Sequence, residues 1–216
     1  MRFPDARIQV FARSPEPGQT KTRLIPLLGE NGAAAFHAHQ VHERLGMLSA
    51  ARLCPIELWC SPSSTSAFFR DCRGRYGVSL HDQSTGDLGR RMHRALASAL
   101  ERATTALLVG TDCPSLCSAD IEEACTRLDE GTDVVLGPAR DGGYYLVAMQ
   151  QPAPALFTDM PWGTPAVFAE SLVRLGQLGL SHYCLTERMD VDTPEDYRRL
   201  YNSHETGVEF NTKNPV

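Results

Sequence analysis

No stretch of this sequence approaches the roughly 20 apolar residues that a membrane-spanning helix needs. The opening residues, MRFPDARIQV, contain no apolar run of signal-peptide length. We therefore expect a soluble, cytoplasmic protein. Paired cysteine patterns are missing as well. Cys54, Cys60, Cys72, Cys113, Cys117, Cys125 and Cys184 are odd in number, form no CxxC pair and fall in segments that read as core. This disfavours a disulfide framework or a zinc site and points to reduced thiols. There is also no block of like charge. With 21 Lys and Arg against 26 Asp and Glu, the net charge is −5, which leaves no electrostatic footprint for nucleic acid or an anionic membrane. A phosphate-bearing partner must then be held by a local cluster of cations. Repeats, low-complexity tracts and linkers are absent too. We expect residues 1–201 to form a single domain with a substantial core and residues 202–216 a polar tail.

What the chain does have is alternation. Short apolar runs read as strands at Ile8–Ala12, Ile56–Cys60, Val78–His81, Ala106–Gly110, Asp133–Gly137, Tyr144–Met149 and His182–Thr186. Between and after them, helical spacing covers Asn31–Arg52, Thr65–Arg75, Leu88–Arg102, Ala119–Glu130, Pro165–Leu178 and Pro194–Tyr201. This order predicts an α/β fold, a three-layer α/β/α sandwich around a mainly parallel mixed sheet. Ligands of such sheets bind beyond the carboxyl ends of the strands, so the loops after strands matter most.

Four of these segments carry chemistry. RSPEPGQTKTRL, residues 13–24, gathers Arg13, Lys21 and Arg23 around Gly18. The three cations could grip phosphate oxygens at the entry to the first helix, or they could be a solvated basic turn. The Walker A spacing does not fit, because Thr20 rather than Gly precedes Lys21. In GDLGRRMHRAL, residues 86–96, Arg90 or Arg91 could reach a ligand from a helix N-terminus. In GTDCP, Asp112 follows an apolar strand and precedes Pro114. Alone it reads as a turn residue, yet a carboxylate at that edge of a sheet is also where an α/β enzyme holds magnesium or manganese. In DVDTPEDYRRL, residues 190–200, Thr193 and Pro194 suit a helix start, which leaves Asp190 and Asp192 unexplained. In an extended segment they would point the same way and repel unless solvated or bridged by a cation.

Weaker candidates lie elsewhere. In GPARDGGYYLV, residues 137–147, Asp141 is a candidate base or acceptor-hydroxyl ligand, with Gly142, Gly143 and Tyr144 as substrate contacts. An ordinary Asp-Gly turn explains the same residues. Trp162, in MPWGTP, could cover a ligand or pack in the core. His37, His39 and His42 share a helix, but His37 and His39 are two apart, which disfavours a shared metal.

Taken in order, VFARSPEPGQTKTRL, GDLGRRMHRAL, LLVGTDCPSL, DVVLGPARDGGYYL and DVDTPEDY resemble the GT-A type nucleotide-diphospho-sugar transferase superfamily, over roughly residues 8–200. The likeness is greater to a bacterial glycosyltransferase-like family. The same layout recurs in molybdenum-cofactor guanylyltransferase and 2-phospholactate guanylyltransferase. The resemblance implies that Asp112 is the metal-binding carboxylate of a DxD-type motif, that Asp190 or Asp192 supplies a second ligand, and that Lys21 and Arg23 face nucleotide phosphates. GTDCP has one Asp where many sugar transferases have two, and the first loop is rich in Pro where nucleotidyltransferases have glycines. PWGTP carries Gly163 where the closer family has Ser. The expected activity is a transferase, dependent on Mg2+ or Mn2+, that moves a sugar from a nucleotide donor to a small-molecule acceptor. A nucleotidyltransferase that releases pyrophosphate is the rival, and a catalytically silent nucleotide-binding protein is the third reading.

Overall fold

The structure, a computed structural model, describes residues 1–202. Seven strands form one sheet: β1 (Ala6–Arg13), β2 (Ile56–Ser61), β3 (Ser79–Asp82), β4 (Thr105–Val109), β5 (Val134–Pro138), β6 (Tyr144–Met149) and β7 (His182–Cys184). Their spatial order is β3-β2-β1-β4-β6-β5-β7. Only β6 runs against its neighbours, β4 and β5, and every other pairing is parallel. Among the described residues there are six α-helices, α1 (Ile25–Ala51), α2 (Ala67–Tyr76), α3 (Leu88–Leu100), α4 (Ser118–Asp129), α5 (Val167–Gln177) and α6 (Pro194–Asn202). Among the described residues no helix is long and apolar enough to cross a membrane.

Alternation along the strands divides the core into two layers. On β4, Leu107 and Val109 face the layer built with α1, α2 and α4, where Leu45, Phe69 and Ile121 are fully buried. Ala106 and Leu108 face the other layer, which contains Leu96 of α3 and Leu175 of α5. A strand apolar on both faces is the expected signature of burial between two helical layers. The three-layer α/β/α architecture with a mainly parallel mixed sheet is therefore present.

Several boundaries differ from those the sequence suggests. α1 carries one extra turn at its start, from Ile25, where Pro26 fixes a helical φ; Gly29, with φ 70° and ψ 169°, breaks that turn from the main helix, which starts close to the expected Asn31. α5 begins at Val167, past the Pro/Gly-rich loop. α2 starts one residue after Ser66, whose side chain accepts from the Phe69 amide. Of the expected polar tail, Asn202 closes α6 and residues 203–216 lie outside the described residues.

This topology assembles the site. The carboxyl ends of β1, β2, β4, β5 and β7 share one edge of the sheet, and β6, being antiparallel, starts there. The loops that carry Lys21, Asp112, Asp141, Asp190 and Asp192 are consequently brought to that edge.

Candidate active site at the carboxyl edge of the sheet

The basic loop after β1 folds back over the sheet edge. Lys21 adopts a left-handed backbone, φ 47° and ψ 43°, at the entry to a short 3-10 turn (Thr22–Leu24) that leads into α1. That conformation costs a non-glycine residue on the order of 1 kcal/mol. It turns the ammonium inward, so that the side chain is only 4% exposed. Nζ lies 2.8 Å from Asp112 Oδ1, 3.8 Å from Asp192 Oδ1, and donates to the Val191 carbonyl at 2.6 Å. Arg23 reaches Asp192 Oδ2 at 2.8 Å from a largely exposed position. The Val191 amide donates to the Asp112 carbonyl at 2.8 Å, which ties the two acidic loops together. Lys21 is thus a cation between Asp112 and Asp192, one of the two carboxylates that the sequence leaves unexplained.

Asp190 is placed differently. Its Oδ1 is buried without a hydrogen-bond partner, and burial pushes its carboxyl up to about 7, with Asp112 and Asp141 adding to the rise and Lys21 opposing it. Among the described residues no group of three or more His, Cys, Asp and Glu side chains is arranged to hold a metal ion. Asp112 and Asp190 nevertheless line the same cavity, and an unpartnered buried carboxylate oxygen beside a second carboxylate suits a hard cation completed by ligand phosphates.

Two recesses meet at Asp112. The smaller holds the basic loop, with Arg13, Lys21 and Arg23 around Asp112 and Asp192. The larger, of about 390 Å³, runs over the ends of β1 and β2 to α3 and is lined by Phe11, Ser61, Gln83, Arg91 and Tyr144. Arg13 and His37 border both. Arg13 is held by Nη1 donating to the Gln19 carbonyl at 3.1 Å. Of the arginine pair at the start of α3, Arg91 faces the larger cavity, with Nη1 donating to Gln83 Oε1 at 2.9 Å, whereas Arg90 is exposed and borders neither. Gln83 is itself oriented by donating to the Trp59 carbonyl at 2.9 Å.

The glycine turn before β6 has a structural account. Asp141 is exposed and its Oδ1 accepts from the Gly143 amide at 2.9 Å. Gly142 has φ 88°, and a Cβ there would lie 2.2 Å from the Pro165 carbonyl oxygen. Gly18 has φ 74° with only Glu30 nearby, so its role is the turn itself. Tyr144 borders the larger cavity, its hydroxyl buried and unpartnered. Trp162 meets Tyr144 edge to face at 6.1 Å and packs over Gly89, where a Cβ would approach its ring nitrogen to 2.6 Å. It borders neither recess and belongs to the core beneath.

His37 was not legible as a site residue. It is 5% exposed on α1, and its Nε2 lies 2.9 Å from the Arg13 carbonyl, which can only accept, so Nε2 carries the proton. Burial lowers its pKa, with Asp112 opposing. Only burial of this face of α1 against the β1 loop distinguishes His37 from its neighbours.

The seven cysteines are unpaired thiols. Burial raises Cys54, Cys60 and Cys125 to about 12, which makes them inert core residues.

Comparison with solved structures gives the same fold. A candidate nucleotide-diphospho-sugar transferase from Desulfovibrio desulfuricans G20 superposes with a TM-score of 0.86 at 27% identity, over 94% of this chain and 89% of that one. The 4-diphosphocytidyl-2C-methyl-D-erythritol synthase of Anaerococcus prevotii DSM 20548 gives 0.61 at 11% identity, over 94% and 99%. Glucosyl-3-phosphoglycerate synthase from Mycobacterium tuberculosis, in complex with Mn2+, UDP and glucosyl-3-phosphoglycerate, gives 0.55 at 13% identity, over 91% and 75%. The fold is that of nucleotide-diphospho-sugar transferases and cytidylyltransferases. A search of curated proteins returns no match. Residues 45–164, more than half of the chain, match the family described as "Uncharacterized protein conserved in bacteria (DUF2064)". That span holds Asp112 and Asp141 but not Lys21, Asp190 or Asp192. The chain therefore belongs to the bacterial DUF2064 family.

Proposed function

We propose that the protein is a divalent-metal-dependent transferase that moves a sugar from a nucleoside diphosphate to a small-molecule acceptor. The observation that carries this reading is the meeting of a cationic recess and a larger cavity at Asp112, with Asp190 Oδ1 buried and unpartnered beside it. In this reading Lys21, Arg13 and Arg23 bind the diphosphate by charge and hydrogen bonds. The larger cavity takes the remainder of the donor nucleotide, with Arg91 and Tyr144 in contact with it.

Mg2+ or Mn2+ would be held by Asp112 and Asp190, with Asp192 adding negative charge nearby, and would supply Lewis-acid neutralisation of the diphosphate. The presence of Mn2+ with UDP in the mycobacterial neighbour supports this choice of ion and ligand class. As the bond from the sugar to the diphosphate oxygen breaks and one to the acceptor oxygen forms, Lys21 offsets the charge that grows on the leaving nucleoside diphosphate. Asp141, exposed beside Asp190, orients the acceptor hydroxyl and accepts its proton. Gly142 and Gly143 keep that turn in place.

The cytidylyltransferase neighbour and the CTP-bound synthetase neighbour favour a second reading, in which a phosphate or phosphosugar attacks the α-phosphate of a nucleoside triphosphate and pyrophosphate leaves. Product analysis separates the two. Incubation with panels of nucleotide sugars and of nucleoside triphosphates, with Mn2+ and pooled small-molecule acceptors, should release a nucleoside diphosphate only from the sugars. Pyrophosphate release from a triphosphate would sink the sugar-transfer reading.

A further inference from the structure

The sheet opens where the two recesses meet. β2 pairs with β1 as far as Arg13, but β4 pairs with it only as far as Val10. Beyond that point the chain of β4 stays with β6, where the Gly110 amide donates to the Tyr145 carbonyl at 3.3 Å. A split is left between the ends of β1 and β4. Both of its sides, Ala12 and Arg13 on one and Gly110, Thr111 and Asp112 on the other, line the larger cavity. The Ser14 amide donates to the Ser61 carbonyl of β2 at 2.7 Å. The Arg13–Ser14 peptide is trans, so its carbonyl points the opposite way, into the split, where no strand meets it.

His37 of α1 takes the place of the missing strand. Its Nε2 donates to the Arg13 carbonyl at 2.9 Å, and the ring, 5% exposed, borders both recesses. One peptide group is therefore held at both ends, by α1 on one side and β2 on the other. Past it the loop is bonded to itself. The Glu16 amide donates to the Ser14 carbonyl at 2.8 Å, the Gln19 amide to the Glu16 carbonyl at 3.0 Å, and Arg13 Nη1 to the Gln19 carbonyl at 3.1 Å. A loop closed in this way is aimed by the peptide from which it departs, so the orientation of that peptide sets where Arg13 stands relative to Asp112. The imidazole does this without adding a further cation between them, because burial lowers its pKa.

We propose that His37 is a positioning residue for diphosphate binding, acting through Arg13: its Nε2–H fixes the Arg13–Ser14 peptide and so holds the Arg13 guanidinium across the split from Asp112. The proposal rests on the reading of Arg13 as a diphosphate ligand, which sugar transfer and nucleotidyl transfer share. His37 itself need not touch the ligand. Without its N–H the Arg13 carbonyl loses its partner, the peptide is free to turn toward water, and the guanidinium loses its fixed place.

Calorimetric titration with inorganic pyrophosphate and Mg2+ tests this, because the probe carries the diphosphate and no base or sugar. The proteins are the wild type, His37→Leu, His37→Gln, Arg13→Leu and the double variant His37→Leu/Arg13→Leu, with His37→Phe in place of His37→Leu if the latter does not fold. His37→Leu should bind about tenfold more weakly, the scale of one charge-assisted hydrogen bond from a displaced arginine. His37→Gln, whose amide nitrogen restores a donor, should recover affinity to within about threefold of the wild type. The double variant should bind within about twofold of Arg13→Leu alone, since a residue that acts through Arg13 has nothing left to act on, whereas a merely structural role would leave the two losses additive. Full affinity in His37→Leu, no recovery in a folded His37→Gln, or additive losses would each overturn the proposal while leaving Arg13 as a ligand. If the wild type binds no pyrophosphate, or if Arg13→Leu binds it as well as the wild type, the diphosphate reading of the basic loop falls and the proposal with it.

Discussion

The Lys21 ammonium and the Asp112 carboxylate stand 2.8 Å apart, with the lysine side chain 4% exposed and the aspartate 48% exposed. The lysine also lies 3.8 Å from Asp192, so it holds two acidic loops that would otherwise repel. Lys21→Met keeps the length of the side chain and removes the charge. Because both aspartates are about half exposed and screened by water, the expected loss is modest, about 1 kcal/mol or less by urea unfolding at pH 7.5. Millimolar Mn2+ should restore more stability to this variant than to the wild type, because it can take the place of the missing cation.

Asp190 gives a prediction of opposite sign. Its carboxyl is raised from the ordinary 3.8 to about 7, chiefly by burial and then by Asp112 and Asp141. The folded state therefore holds this proton more tightly than the unfolded chain does. The favourable contribution is full below about pH 4 and is lost as the pH rises through 7. Asp190→Asn removes the dependence. The variant should be more stable than the wild type at pH 8 by on the order of 1–3 kcal/mol, and the gap should shrink as the pH falls toward 5. Thermal unfolding across that range measures it. Such a gain, coupled with loss of metal-dependent binding, is the pattern of a residue kept for function at a cost to stability.

The two glycine turns should respond unequally. Gly142→Ala combines a positive φ with a Cβ placed 2.2 Å from the Pro165 carbonyl oxygen, so a loss of about 3 kcal/mol is expected. Gly18→Ala meets nothing closer than 3.5 Å and should cost about 1 kcal/mol, from the backbone alone. Chemical denaturation of the two variants compares them directly. Equal losses would mean that Gly142 does not pack as described.

The neighbouring arginines of α3 make a third contrast. Arg91 faces the larger cavity and is fixed by Gln83, whereas Arg90 is exposed. Arg91→Leu should weaken nucleotide binding about tenfold, and Arg90→Leu should change it less than twofold, by isothermal titration calorimetry. The reverse ranking would place the ligand outside the cavity.

Much of this arrangement was legible from residues alone. The run ALLVG is apolar on both faces, which places β4 inside the sheet and Asp112 at its carboxyl edge, and β4 does lie between β1 and β6. The charge imbalance of Asp190 and Asp192 pointed to a cation, and part of that cation is Lys21. Periodicity could not reveal this, because the contact depends on a left-handed lysine backbone that no local signal marks. The choice between Arg90 and Arg91 turns on which side of the first helical turn of α3 meets Gln83, a contact from a distant loop. His37 reads as an ordinary helix residue, since its burial depends on the loop after β1 that packs against α1. In sequence Trp162 suits a cover or a core residue equally; Gly89 beneath it and Tyr144 beside it make it a core residue.

The most direct test of the account is calorimetric titration of nucleoside diphosphates and nucleotide sugars into the wild type and Asp112→Asn, each with and without Mn2+. The account predicts that at least one nucleotide sugar binds the wild type only when Mn2+ is present, and that Asp112→Asn loses this binding while remaining folded. Full binding without the metal, or unchanged metal-dependent binding to Asp112→Asn, would contradict it.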